Sequence, residues 1–428
     1  MSTKRVWWWS AAGVVAVAVA ATAATGVAVQ RTYGDLDHGQ AYEAPAPVDP
    51  LQPAQPADAP LGDVAGRLTE LARDNEALGN FGGQVIDTAT GEVVWEQDGA
   101  KALLPASSTK VLTLAAATWE LGEDDRITTE IVRGDNNAVI IKAAGDVWLT
   151  LAQLDAAAAQ IKEAMPEVSG VFIDTRAWVG DDQAKGWDPE NVDGGFVAPM
   201  QPAMVFGGRL GAATGDVPRS HTPALDVANL LAKRLGVTTV GMSKAPDAAA
   251  PVATIESEPL SVRAEEAGKD SDNVMAEAIG RELAVARGKE ASFAGAAEAT
   301  FEVLGEHGVD TSQVFLADNS GLSDVNRIPA GVLAGIMNQA ATEDALRPLL
   351  GYLPVAGGDG TLYTRYTDLA GRGYVRAKTG TLTGTSALTG IVPGQSGHVF
   401  AFAFLVNDGD TLAARAAQDE LASALREF

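Results

Sequence analysis

Short β-type runs lie near both ends of the folded part of this chain, and strong helical patterns lie between them. Residues 83–87 and 92–95 flank a turn that ends at Gly91, which predicts a hairpin. Near the other end, three more strand-like runs cover residues 374–378, 386–392 and 398–406. Helices are predicted over residues 61–78, 106–121, 273–287, 293–307, 329–339 and 411–428. This order predicts an α+β domain whose sheet joins the two ends of the chain.

Residues 127–257 interrupt that domain with a different pattern, in which short strands and helices alternate. Paired strands are predicted over 129–132 and 138–142, and further strands over 171–173, 237–240 and 252–256. Helices are predicted over 151–164 and 225–235, and residues 178–222 are mostly loop. We therefore expect one α/β module, residues 127–257, inserted into a domain formed by residues 61–126 and 258–428.

The N-terminal segment has the pattern of an exported protein. Lys4 and Arg5 precede residues 6–30, which carry no charge and are long enough to cross a bilayer. Two outcomes stay open, an uncleaved membrane anchor and a cleaved signal. Residues 1–5 would stay in the cytoplasm by the charge-bias rule, which places the rest outside. Residues 31–60 are rich in proline and predict an extended linker.

The composition limits both the disulfide bonds that the protein can form and the kinds of partner that it can bind. The 428 residues include no cysteine, so the fold has no disulfide and depends on the size of its core. A formal net charge of −25 argues against nucleic acid as a partner. The four histidines show no metal-ligand spacing, and we expect neither a metal nor a cofactor.

Three short motifs carry the predicted chemistry. They are Ser107-Ser108-Thr109-Lys110, Ser271-Asp272-Asn273 and Lys378-Thr379-Gly380. Each is weak alone, but together, in this order, they are typical of penicillin-binding proteins and class A β-lactamases. A serine hydroxyl needs a nearby base, and Lys110 follows Ser107 by three residues, on the same helical face. Burial and a second cation lower a lysine pKa, so we expect Lys110 to be partly neutral.

The other two motifs are assigned to proton transfer and substrate binding. Ser271 is expected to pass a proton to the leaving amine, and Asn273 to bind the substrate amide. Lys378 and Thr379 are predicted on a strand edge, where their cation and hydroxyl suit a terminal carboxylate. Gly380 would allow close backbone approach, and the N–H of Thr381 would donate to the oxyanion.

The residues around these motifs resemble the class C low-molecular-mass penicillin-binding proteins. The matching stretches are Pro105-Ala106-Ser107-Ser108-Thr109-Lys110, Lys269-Asp270-Ser271-Asp272-Asn273 and Ala377-Lys378-Thr379-Gly380-Thr381-Leu382. These enzymes are D-alanyl-D-alanine carboxypeptidases, often with endopeptidase activity. The resemblance implies an antiparallel sheet flanked by helices, with cell-wall stem peptides as substrates. It also implies an acyl-Ser107 intermediate and inhibition by β-lactams.

The chain departs from this family in two places. Larger members insert two modules between the first and second motifs, whereas the space here suits one. Asn319 stands where a small residue is expected.

Two other functions are weighed against the carboxypeptidase. A serine β-lactamase would need a further base for deacylation. A catalytically inactive envelope scaffold would be expected to have lost at least one of the motif residues.

Overall fold

A computed structural model describes residues 60–428 of the chain. It contains fourteen strands within this range. The last three of them form a sheet with the first two. The strands are β1 Asn80–Asp87, β2 Glu92–Gln97, β3 Ala102–Leu103, β4 Thr128–Arg133, β5 Val139–Lys142, β6 Asp146–Leu149, β7 Val171–Asp174, β8 Ala203–Val205, β9 Val240–Met242, β10 Pro251–Glu256, β11 Ile328–Pro329, β12 Arg376–Leu382, β13 Thr385–Pro393 and β14 Val399–Asn407.

The helices of the same range fall mainly between the first and third motifs. They are α1 Val64–Ala72, α2 Lys110–Glu120, α3 Leu151–Ala164, α4 Glu190–Asp193, α5 Pro223–Leu235, α6 Leu260–Lys269, α7 Asn273–Ala286, α8 Phe293–Glu306, α9 Ala330–Thr342, α10 Pro348–Gly351 and α11 Thr411–Ala424. No helix in residues 60–428 combines the length and the apolar character needed to cross a membrane. The anchor or signal predicted at residues 6–30 lies outside the described residues.

The first sheet joins the two ends of the described chain, as the sequence predicts. Its strand order is β12-β13-β14-β1-β2, and every neighbouring pair is antiparallel. Phe81 of β1 pairs with Val406 of β14, so the N-terminal hairpin continues the sheet made by the last three strands. Strand β12, which carries the third motif, is an edge strand.

Two apolar clusters cover the faces of this sheet. On one side Leu68 of α1 and Leu421 of α11 pack with Phe402 and Phe404 of β14. On the other side the fully buried Leu112 and Leu114 of α2 pack within a cluster that includes residues of α7, α8 and α9. Helix α2 therefore runs through the middle of the domain, which fixes the position of the first motif at its start.

A second sheet is formed by residues between 128 and 256. Its order is β10-β4-β5-β7-β9, with antiparallel pairing up to β5 and parallel pairing from β5 to β9. Apolar residues of α3 and α5, such as Leu154 and Leu231, pack against it in a separate core. The boundaries 127 and 257 for an inserted module stay a prediction.

Several predicted elements differ in detail. The helix predicted from Leu61 is interrupted, because Asp74 has a positive φ of 54° and Asn75 caps a separate 3-10 turn, Glu76–Leu78. The strand predicted at 237–240 begins only at Val240, since Gly236 adopts the left-handed conformation and Val237 N–H closes the end of α5. Helix α6 was not predicted.

Candidate active site

Ser107 lies in a tight turn that leads directly into helix α2. Residues Ala106–Thr109 form a 3-10 turn, and Lys110 is the first residue of the α-helix. Ala106 has a φ of +45°, an uncommon conformation for a residue with a side chain. Gly321 packs so closely here that a Cβ on it would lie 1.9 Å from the Ala106 carbonyl oxygen. The backbone before Ser107 is therefore held in a strained shape by its surroundings.

The amine of Lys110 contacts the Ser107 hydroxyl and two carbonyl oxygens. Its Nζ lies 3.2 Å from Ser107 Oγ, 2.6 Å from Asn273 Oδ1 and 2.7 Å from the backbone oxygen of Ser320. The side chain is completely buried, and burial lowers the pKa of Lys110 to about 8 against the opposing charge of Asp318.

These three contacts suit both protonation states of the amine, because an ammonium can donate to all three oxygens and a neutral amine can donate to two of them. The oxygens of Asn273 and Ser320 can only accept, so they take the two N–H groups of a neutral lysine. The remaining lone pair then faces Ser107 Oγ–H. A base aimed at a serine hydroxyl is what a nucleophilic serine requires.

The second and third motifs are joined by a hydrogen bond between Ser271 and Lys378. Lys378 Nζ donates to Ser271 Oγ at 2.9 Å and to the backbone oxygen of Thr379 at 2.8 Å. Ser271 has a φ of +61°, which turns it away from the helix that follows. Burial, with the nearby charge of Lys110, lowers the pKa of Lys378 well below its usual value.

Asp272, the middle residue of the second motif, holds the start of α7 in place. Asp272 caps α7 by accepting from Met275 N–H at 2.7 Å. It also pairs with Arg209 at 2.8 Å and with Arg219 at 3.2 Å, both in the segment between the first two motifs. Burial alone would raise the pKa of Asp272, but Arg219 and Arg209 outweigh it and lower the pKa.

Asn273 uses both ends of its side-chain amide within the protein. Its Oδ1 accepts from Lys110, and its Nδ2 donates to the backbone oxygen of Phe196 at 2.9 Å. The structure thus gives Asn273 a positioning contact with the amine of Lys110. Its predicted role in binding the substrate amide stays a prediction.

Strand β12 brings the third motif against Ser107. A Cβ on Gly380 would lie 2.6 Å from Pro105 O and 3.1 Å from Ser107 N, so only glycine permits this approach. Thr379 Oγ1 donates to Thr361 Oγ1 at 2.7 Å, and Thr381 Oγ1 accepts from Arg415 Nη2 at 2.7 Å.

A buried carboxyl group supports the loop that holds Lys110 from behind. Glu277 Oε1 accepts from the backbone N–H groups of Asn319 and Ser320, at 2.9 and 2.7 Å. This orients the Ser320 carbonyl that Lys110 uses. Burial raises the pKa of Glu277 to about 8, with a further rise from Asp318 and an opposing effect of Arg281, whose Nη1 lies 3.6 Å away. Asn319 fits here because Gly280 of α7 lacks a Cβ, which would lie 2.8 Å from its amide carbon.

Most of the predicted residues surround one cleft of about 790 Å³, lined in part by Ser107, Ser271, Asn273, Thr379 and Thr381. Lys110 and Lys378 lie completely buried behind it, each within hydrogen-bonding distance of a motif serine. The structure therefore brings the three predicted motifs together. Their individual roles in catalysis stay predictions.

Several residues of this site were not predicted from the sequence. Glu277 follows Asn273 by four residues on α7, so the helical period could have indicated a shared face. Phe196, Arg209 and Arg219 lie in loop-rich sequence with no regular pattern, and Arg415 lies on the last helix. No local signal in the sequence connects these four to the motifs.

Comparisons with known proteins agree with the fold and identify the family. The D-Ala-D-Ala carboxypeptidase 3 (S13) family matches residues 64–216 and 211–428. The carboxypeptidase DacB of Mycolicibacterium smegmatis is 40% identical over 96% of this chain and 94% of its own length. The D-alanyl-D-alanine carboxypeptidase of Actinomadura sp. is 30% identical over 86% of this chain and 87% of its own.

A solved structure supports the fold in particular. Penicillin binding protein 4 of Haemophilus influenzae superposes with a TM-score of 0.72 at 22% identity, over 85% of this chain and 98% of that one. This confirms the predicted α+β penicillin-binding fold. The family match spans nearly all described residues, and the resemblance seen in the motifs is confirmed. The chain belongs to the D-Ala-D-Ala carboxypeptidase 3 (S13) family.

Proposed function

We propose that this protein is a serine D-Ala-D-Ala carboxypeptidase that acts on the stem peptides of cell-wall peptidoglycan. The observation that supports this most strongly is the contact set of Lys110. One buried amine lies within hydrogen-bonding distance of Asn273 Oδ1, the Ser320 carbonyl and the Ser107 hydroxyl. In its neutral form it can give its two N–H groups to the carbonyls and turn its lone pair to Ser107 Oγ–H. The family of the chain gives the substrate class.

Acylation follows from this arrangement. Lys110 takes the proton of Ser107 Oγ–H, and Oγ attacks the carbonyl carbon of the penultimate D-alanine. The negative charge that develops on the carbonyl oxygen would be stabilised by the backbone N–H groups of Ser107 and Thr381. The peptide C–N bond then breaks as a proton reaches the leaving nitrogen through Ser271, and free D-alanine departs.

Deacylation uses the same base. A water molecule loses its proton to Lys110 and attacks the ester carbon, which restores the Ser107 hydroxyl and releases the shortened peptide. The substrate would lie extended along the free edge of β12, because the other edge of that strand is paired with β13.

A β-lactam would acylate Ser107 in the same way and remain bound. A serine β-lactamase is the alternative, and it would release hydrolysed penicillin rapidly. The intact contacts of Ser107, Lys110, Ser271 and Lys378 favour an active enzyme over an inactive scaffold. Fluorescent penicillin separates the three: persistent labelling is expected of the peptidase, brief labelling of a β-lactamase, and none of a scaffold.

The proposed location is the outer face of the cytoplasmic membrane. Residues 6–30 would anchor or export the chain, and residues 31–60 would hold the peptidase domain away from the bilayer. Residues 61–126 and 258–428 would form that domain, with residues 127–257 as its insert. Fractionation of cells that express the full chain tests this, since an anchored enzyme sediments with membranes and a cleaved one does not.

Mass spectrometry of muropeptides after incubation with the purified enzyme tests the activity itself. Loss of one alanine from pentapeptide stems is expected, and Ser107→Ala should abolish it. Cleavage of cross-linked dimers would show endopeptidase action at the same site. Unchanged muropeptides with wild-type enzyme would contradict the proposal.

A further inference from the structure

The arginine side chains that line the cleft differ in whether they form ion pairs. Four arginines line it, and three of them meet carboxylates: Arg209 and Arg219 contact Asp272, and Arg365 contacts Asp419 at 2.6 Å. The fourth, Arg415, has no ion-pair partner among residues 60–428. Within this part of the chain its side chain donates one hydrogen bond, to the hydroxyl of Thr381. An unpaired guanidinium therefore faces the cleft of a protein whose net charge is −25.

Lys378 is poorly placed to meet an anion in this cleft. Its side chain is completely buried, and its amine is already bonded to Ser271 and Thr379. Its pKa is also lowered well below the usual value by burial and by the charge of Lys110. The cation that the substrate carboxylate needs must therefore come from another residue.

Arg415 is partly exposed and contacts the face of β12 that carries the two threonine hydroxyls. Thr379 and Thr381 are two residues apart on β12, so their side chains project from the same face of the strand. Arg415 Nη2 lies 2.7 Å from Thr381 Oγ1 on that face. Burial and the neighbouring charge of Arg365 lower the pKa of Arg415, and the charge of Asp419 partly offsets them.

We propose that Arg415 recognises the free α-carboxylate of the residue that leaves the substrate, together with the hydroxyls of Thr379 and Thr381. A guanidinium matches a carboxylate in geometry, because two parallel N–H groups can meet its two oxygens. Such a contact makes Arg415 a specificity-determining residue, which favours peptides with a free C-terminus. This inference rests on the proposed carboxypeptidase function.

Two synthetic peptides test it: one ending in D-Ala-D-Ala and one identical but with a C-terminal carboxamide. For Arg415→Gln we expect kcat/KM for the acid peptide to fall roughly ten- to hundredfold, the range of a charged hydrogen bond. The value for the amide peptide should stay within about twofold. Arg415→Lys should retain part of the preference.

Arg73→Gln is the matched control, because it removes the same charge from an exposed position outside the cleft. It should leave both rates unchanged. Acylation by benzylpenicillin and by its methyl ester gives the same comparison without peptide hydrolysis. Equal losses for the acid and the neutral ligand in Arg415→Gln, or no loss for either, would overturn the role of Arg415. Absence of D-alanine release by wild-type enzyme would instead contradict the proposed function, while the penicillin pair would still test Arg415.

Discussion

Lys110 Nζ lies 2.6 Å from Asn273 Oδ1, which links the first motif to the second through a single hydrogen bond. The two residues are far apart in sequence and meet because α2 and α7 pack in one core. This contact fixes the direction of the amine toward Ser107. It also places a neutral side chain, where a carboxylate would keep the lysine protonated.

Replacing Asn273 by aspartate is expected to move the pH dependence of acylation upward. In the wild type, the rate of penicillin acylation should rise with pH through about 8, as the Lys110 ammonium loses its proton. In Asn273→Asp the midpoint should rise by at least about one unit, since a carboxylate favours the charged amine. Asn273→Ala is the control, because it removes the contact without adding charge. A wild-type rate that falls as pH rises from 7 to 9 would contradict Lys110 as the base.

Gly380→Ala should slow acylation without unfolding the protein. The new methyl group would lie 2.6 Å from Pro105 O and 3.1 Å from Ser107 N, so β12 and the nucleophile must move apart. A displacement of this kind costs on the order of a hundredfold in rate. The matched control is Gly335→Ala in α9, where a Cβ meets nothing within 4 Å. That variant should gain about 0.5–1 kcal/mol in unfolding free energy and keep its rate. Equal rates for both variants would refute the close approach.

Glu277→Ala should lower both stability and activity. It leaves the N–H groups of Asn319 and Ser320 and the guanidinium of Arg281 without their carboxylate partner in a completely buried place. Removal of one member of a buried pair costs about 3–5 kcal/mol, which urea unfolding would measure. Glu277→Ala combined with Arg281→Leu should cost less than the two single changes added together. Additive losses would show that the two residues act independently.

Arg219→Met should weaken the contacts that hold the second motif in place, although Arg219 itself lies outside that motif. Arg219 is buried and bonds Asp272, Gly195 O and Gly207 O, so its loss frees the start of α7. The depressed pKa of Asp272 means that its ionic contacts stabilise the fold above the usual pKa of about 3.8 and are lost as pH falls below it. Arg219→Met should therefore reduce the stability difference between pH 7 and pH 3, as measured by thermal unfolding. An unchanged difference would exclude this ion pair as its source.

The sheet and the catalytic motifs could be predicted because each has a local signal. The hairpin of β1 and β2 alternates and turns at Gly91, and the motif serines and lysines lie in short sequence patterns that resemble those of a known family. The packing that brings the three motifs together could be expected only from that context. Periodicity and spacing alone do not give it.

Elements without such a signal were missed for identifiable physical reasons. Helix α6 buries mostly small residues, Ala264, Ala267 and Gly268 beside Leu260, so its sequence lacks an apolar stripe. The ion pairs of Arg209 and Arg219 with Asp272 join segments more than fifty residues apart in sequence, through irregular backbone. A long-range contact between charged residues in loops leaves no periodic trace in the sequence.

Identification of the residue that penicillin acylates tests the central claim most directly. Peptide mapping of the labelled enzyme by mass spectrometry should place the adduct on Ser107, and Ser107→Ala should carry none. Lys110→Met should keep the fold and acylate far more slowly than wild type. An adduct on another residue, or labelling of Ser107→Ala at the wild-type rate, would contradict the claim that Lys110 activates Ser107 as the nucleophile.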